Sequence, residues 1–129
     1  MRQTELAKGI AMRKLHVIAS LIFIALGTAA AHAHAHLDHS NPPVDGTVAT
    51  APQEVALFYT QNLEPAFSTV EVTDTSGTRV DEGKAQISGN TMRVGLKSLG
   101  PGSYKVHWHA VSVDTHTTEG TFTFRVGGP

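Results

Sequence analysis

At 129 residues the chain has room for one hydrophobic core and not for two domains, so one small site or surface must carry its function. It holds no cysteine, which excludes disulfides and thiolate metal sites and leaves nitrogen, oxygen or methionine sulfur as possible metal donors. The formal charge of −1 hides an asymmetry: removing the four basic and one acidic residues of 1–33 leaves six Lys and Arg against ten Asp and Glu, a net of −4, and a mildly acidic domain has no electrostatic reason to bind nucleic acid.

The chain opens like a secretory signal peptide, with Arg13 and Lys14 ahead of an uncharged run from Leu15 to Ala33. As a membrane anchor that run is marginal, and it decays into small residues and His-Ala repeats where a basic stop signal would stand. Signal peptidase needs small residues at the third and first positions before the cut. Ala29 with Ala31 and Ala31 with Ala33 both qualify, and the second register makes His34 the mature N-terminus. Translation from Met12 would still supply a leader of ordinary length. The expectation is a signal peptide over 1–33 and an exported, periplasmic domain over 34–129.

The domain begins His34-Ala35-His36, which under that cut joins a free α-amine to two imidazoles. An amine and an imidazole on one residue can close a chelate ring, and an extended segment places the two side chains on one face. The alternative is that His-Ala repeats are incidental to a small-residue cleavage region.

Beyond residue 34 apolar residues alternate in short runs, the period of half-buried strands. Val55, Leu57 and Tyr59 share a face, as do Val70 and Val72, then Met92, Val94 and Leu96. Tyr104, Val106, Trp108 and Ala110 line a longer strand, and Phe122, Phe124 and Val126 line the last. Turn chemistry separates the runs at Asn41-Pro42-Pro43, Asp45-Gly46, Ser76-Gly77, Gly89-Asn90 and Gly100-Pro101-Gly102. The pattern predicts an all-β domain of about seven strands, an Ig-like antiparallel β-sandwich or a Greek-key barrel, because a single sheet would leave one apolar face wet.

His107 and His109 alternate with core positions and are predicted to be solvated strand residues, and His39 a surface residue near the site. Asp114-Thr115-His116 follows the long strand. Spaced i and i+2 in extended chain, its carboxylate and imidazole can converge on one ion, although a turn-forming Asp and a solvated His give the same pattern. Joined to the first cluster, it makes a nitrogen-rich, sulfur-free donor set that suits Cu(II) by the Irving-Williams order, while Zn(II) also accepts His and Asp.

His34-Ala35-His36-Leu37, Ser40-Asn41-Pro42 with Gly46, Leu63-Glu64-Pro65-Ala66-Phe67-Ser68, Gly102-Ser103-Tyr104-Lys105-Val106-His107-Trp108, Val111-Ser112-Val113-Asp114-Thr115-His116 and the closing Gly120-Thr121-Phe122-Thr123-Phe124-Arg125-Val126 stand in an order that resembles the CopC family. The resemblance covers essentially all of residues 34–129. It implies a periplasmic β-sandwich or barrel with a Cu(II) site of His34 with its amine, His36, Asp114 and His116. Many relatives add a methionine-rich Cu(I) loop, and this chain departs from them, since only Met92 follows the leader and it alternates with core residues.

The resemblance further implies a monomeric copper carrier or buffer in copper resistance or uptake, not an enzyme, with a separate CopD-type inner-membrane protein as partner. An N-terminal copper histidine on a β-sandwich also resembles the histidine brace of lytic polysaccharide monooxygenases. A catalytic copper, however, needs an open coordination position, which these four residues and the amine could fill. A metal-free Ig-like interaction module is the third reading, because fold alone does not decide function.

Overall fold

The structure, a computed structural model, describes residues 34–128. The leader, its cleavage positions, His16 and His32 lie outside the described residues, as does Pro129. Eight strands run in the order β1 (Leu37–Asn41), β2 (Thr47–Val48), β3 (Glu54–Tyr59), β4 (Thr69–Thr73), β5 (Gln86–Ser88), β6 (Thr91–Gly95), β7 (Gly102–Val111) and β8 (Thr117–Val126). They form two four-stranded sheets, β1-β3-β6-β5 and β2-β8-β7-β4, that share no strand. The architecture is therefore the predicted all-β sandwich and not the closed barrel.

Every residue assigned above to an inward strand face is buried, from Val55 in β3 to Val126 in β8, and these side chains form one core between the sheets. Two features escape the periodicity. The short strands β2 and β5 bring the count to eight, and β2 pairs parallel with β8, an exception to the antiparallel pattern. A two-residue strand is too short to leave a period of its own. Its place is set by neighbouring backbone bonds, such as Arg125 N–H to the Gly46 carbonyl at 2.9 Å.

Ala56 is buried although it points away from the core. It stands opposite Arg93 on β6, and that guanidinium pairs with Glu54 at 2.7 Å and lies 5.7 Å from the Phe58 ring centroid. Long side chains on the outer face thus cover a small one.

Two long strands dominate the second sheet. β7 and β8 pair from Gly102↔Val126 to Val111↔Thr117 and leave Ser112 to His116 as the connecting loop. That loop emerges beside the start of β1, because β1 pairs with β3 through Leu37↔Tyr59 and β3 ends at the same edge of the sandwich.

Candidate metal centre

The segment before β1 is fixed by side chains from both sheets. Thr60, just past β3, accepts a hydrogen bond from His36 N–H at 3.0 Å and donates its hydroxyl to the His34 carbonyl at 3.2 Å. Its own N–H donates to the His36 carbonyl at 2.9 Å, continuing the β1–β3 ladder. From the other sheet, Thr118 of β8 donates its hydroxyl to the Ala35 carbonyl at 2.6 Å. Ala35 is completely buried as part of the core, while His34 is half-buried and His36 exposed.

The loop after β7 is bound to itself and to its surroundings. Ser112 N–H donates to the His116 carbonyl and Thr115 N–H to the Ser112 carbonyl, each at 2.9 Å. The tip turns at Thr115 with φ 74°, a left-handed conformation that a β-branched side chain disfavours. Val113 N–H donates to the Asn62 carbonyl at 3.1 Å, and an isolated bridge joins Leu63 to Ser112. The loop is therefore tied to the segment that follows Thr60.

These ties bring His34 and His116 together, ring centroids 4.4 Å apart and edge to face at 74°. The His34 and His36 rings lie 6.0 Å apart. Asp114 Oδ2 stands 3.2 Å from His116 Nδ1, and Asp114 Oδ1 accepts the hydroxyl of Ser112, a fully buried residue. That bond from Ser112 holds the Asp114 carboxyl below the usual range. Desolvation opposes it, and contacts with His116 add to it. With Nδ1 engaged by the carboxylate, Nε2 is the His116 nitrogen that can face an ion, an orientation common among metal-binding imidazoles.

Of the four residues singled out in the sequence, His34 packs on His116 and Asp114 lies beside His116, while His36 stands 6.0 Å from His34, centroid to centroid. As placed, no three His, Asp or Glu side chains among the described residues make a ready ligand cage. Binding an ion requires rotation of side chains, and it is available: His116 is 55% and Asp114 35% exposed. The donors are imidazole and carboxylate, which fit Cu(II) or Zn(II).

The remaining histidines take other roles. His39 stacks on Phe58 on the outer face of the first sheet, centroids 4.3 Å apart and 5° from parallel, with Nδ1 2.7 Å from Asp38 Oδ2. His107 and His109 share the outer face of β7. The first lies 2.7 Å from a carboxylate oxygen of Glu119 and the second 3.3 Å from the Phe67 carbonyl. Trp108 is core, edge-on to Tyr59 at 5.3 Å.

Sequence reasoning missed Thr60, Thr118 and Ser112. Threonine is ordinary in strands, and nothing local marks the two that reach the N-terminal segment. Ser112 left a faint signal in its spacing, two residues ahead of the carboxylate it binds.

Residues 37–127 match the CopC domain family. Over 118 residues the chain is 33% identical to Protein YobA of Escherichia coli strain K12, covering 88% of this chain and 95% of that protein. It is 36% identical over 110 residues to Copper resistance protein C of Pseudomonas syringae pv. tomato, 78% of this chain and 86% of that one. Among solved structures, PcoC, a methionine-rich copper resistance protein from Escherichia coli, aligns with a TM-score of 0.64 at 35% identity over 73% of this chain and 99% of its own. CopC from Methylosinus trichosporium OB3b aligns with a TM-score of 0.64 at 30% identity, over 72% and 93%.

Proposed function

The chain belongs to the CopC domain family, and from that premise we propose that it is an exported Cu(II) carrier or buffer whose cargo is held by His34, His36, Asp114 and His116. The observation that carries the reading is the 4.4 Å approach of the His34 and His116 rings, which come from the segment before β1 and the loop between β7 and β8. Copper is favoured over zinc by two considerations, the names of relatives such as Copper resistance protein C and the affinity order of divalent metals at nitrogen and oxygen donors.

Cleavage after Ala33 adds the His34 amine, so that amine, three imidazoles and one carboxylate offer five donors, enough to complete the four positions of a tetragonal plane around Cu(II) with one to spare. With those donors bound, copper would keep no open equatorial position for a substrate, which supports a protein that acts by binding and handing over the ion. The protein works as a periplasmic monomer, and its partner is a separate CopD-type membrane protein. PcoC is described as methionine-rich, whereas the single methionine among the described residues, Met92, is fully buried in this core. Among the described residues a thioether site for Cu(I) therefore has no exposed donor, which supports the oxidised ion as cargo.

The test is Cu(II) titration of the processed protein, its His116→Ala and Asp114→Ala variants, and the isolated peptide His34 to Ser40, followed by electron paramagnetic resonance. The four-residue site requires His116→Ala to lower affinity and change the spectrum, with a smaller effect from Asp114→Ala where water can replace the carboxylate. Identical spectra and affinities for wild type, His116→Ala and the peptide would overturn it.

A further inference from the structure

A processed chain beginning His-Ala-His offers Cu(II) two binding modes. In one, the amine and side chains bind the ion and the loop supplies the remainder. In the other, the ion takes the amine, the deprotonated amide nitrogens of Ala35 and His36 and the His36 imidazole, and the loop is not needed. The second mode requires His36 N–H to release its proton to solvent and turn its nitrogen to the ion. It also requires the nitrogens of two adjacent residues to face the same side.

The fold opposes both requirements. Successive residues of extended chain face opposite sides, and this segment is held extended from both sheets. The His36 N–H is bonded to Thr60 Oγ1, and the same hydroxyl reaches the His34 carbonyl. The Ala35 carbonyl is bonded by Thr118, and the buried Ala35 methyl anchors the segment between them.

We infer that Thr60, assisted by Thr118, selects the coordination mode, keeping backbone amides out of the copper shell so that the ion must recruit the Asp114–His116 loop. Thr60 is a positioning residue that touches no metal. Its hydroxyl works as acceptor and donor at once, which valine cannot imitate and serine can. The inference rests on the four-residue site and the His34 N-terminus proposed above. It makes copper occupancy depend on the folded sandwich, so that a site that a short peptide could form alone becomes one that couples both sheets.

The experiment is a double-mutant cycle with Cu(II) on the processed protein at one fixed pH, crossing Thr60→Val/Thr118→Val with His116→Ala. Affinity and electron paramagnetic resonance are the readouts, and near-ultraviolet circular dichroism checks folding. In the double-valine background a spectral component matching the His34–Ser40 peptide is expected. The affinity lost on His116→Ala should shrink by roughly two- to tenfold, the equivalent of one hydrogen bond. Thr60→Ser should behave as wild type.

Unchanged spectra and an unchanged His116 loss would overturn the inference while leaving the four-residue site standing. No His116 effect in the wild-type background would instead overturn the site and the inference with it. Thr60→Val alone carries the same comparison if the double variant is unfolded, since Thr60 is an exposed side chain.

Discussion

The imidazoles of His34 and His116 meet edge to face at 4.4 Å because the segment before β1 and the loop after β7 are each tied to the residues just past β3. A residue added ahead of His34 leaves this packing in place but moves the α-amine off the histidine that would chelate with it. Loss of an outer-shell partner costs a metal site about tenfold or more, so loss of a direct ligand is expected to cost at least that. Titration of proteins beginning at His34 and at Ala33 compares the two, and equal Cu(II) affinities would remove the amine from the site.

Protons compete with copper for amines, whose reference pKa is about 7.8, and for imidazoles, at about 6.5. Cu(II) affinity is expected to fall steadily between about pH 8 and about pH 5. The Asp114 carboxyl, held below its usual range by Ser112, stays ionised through that window and adds to the slope only at pH values below it. A competition titration at several pH values checks the slope, and a flat profile would contradict donors of this kind.

Acid should also unfold the metal-free domain through Asp81. Burial works against its ionisation, but hydrogen bonds from Arg79 and from the N–H groups of Val72 and Gly83 outweigh it and lower its pKa. A carboxyl lowered in the folded state contributes stability above its unfolded pKa, and that contribution fades as pH falls through the folded value. Melting temperature should therefore drop below about pH 4. The carboxylate is fully buried but Arg79 is 48% exposed, so Asp81→Asn should cost about 2 kcal/mol at neutral pH and flatten the acid slope. Thermal melts of both proteins at pH 7 and at pH 3 make the comparison.

How far the sequence reached follows from which interactions are local. Alternation in β3, β4, β6, β7 and β8 marked the inward face of each, because one side of every strand had to be apolar. The His34-Ala35-His36 spacing marked candidate ligands because i and i+2 residues of extended chain share a face. Asp114-Thr115-His116 reads as extended by the same spacing but instead turns at Thr115, so a tight loop brings its two side chains together. What remained illegible was non-local. No pattern near Thr60 or Thr118 says that their hydroxyls reach the segment before β1, and β2 is held by partners almost at the other end of the chain. His39 is the exposed residue expected, but its stacking on Phe58, on the outer face, could not be read from local pattern because a register shift between Leu37 and His39 accompanies it.

Core packing gives a pair of opposed expectations around Trp108. The Tyr59 hydroxyl is buried beside it without a hydrogen-bond partner among the described residues, and burial pushes its pKa up. Tyr59→Phe removes an unsatisfied polar atom and should leave stability unchanged or raise it by about 1 kcal/mol. Gly120 stands opposite Trp108 on β8, where a Cβ would meet the indole at 2.5 Å. Gly120→Ala must displace a packed ring and should cost about 1–3 kcal/mol. Urea unfolding followed by the single tryptophan reads both, and a stable Gly120→Ala domain would mean that the indole has room to move.

Ser112 joins the fold to the metal chemistry and allows the two to be separated. It is completely buried, its N–H closes the loop on the His116 carbonyl, and its hydroxyl binds Asp114 Oδ1. Ser112→Ala keeps the backbone bond and removes only the hydroxyl, so the loop should remain in place while the carboxylate loses the contact that orients it and lowers its pKa. Outer-shell partners of metal ligands are worth about 10–100-fold in affinity. An exposed, rotatable carboxylate places this one near the lower bound, so Cu(II) binding is expected to weaken about tenfold. Below about pH 5 the affinity should fall off at a higher pH than in the wild type, because Asp114 would then protonate sooner. Measuring that profile on Ser112→Ala and on Ser112→Ala/Asp114→Asn separates orientation from general damage to the loop. If Asp114 is the route, the serine substitution has no further effect once the carboxylate is gone. An equal tenfold loss in both backgrounds would show that Ser112 acts on the loop backbone and not through Asp114.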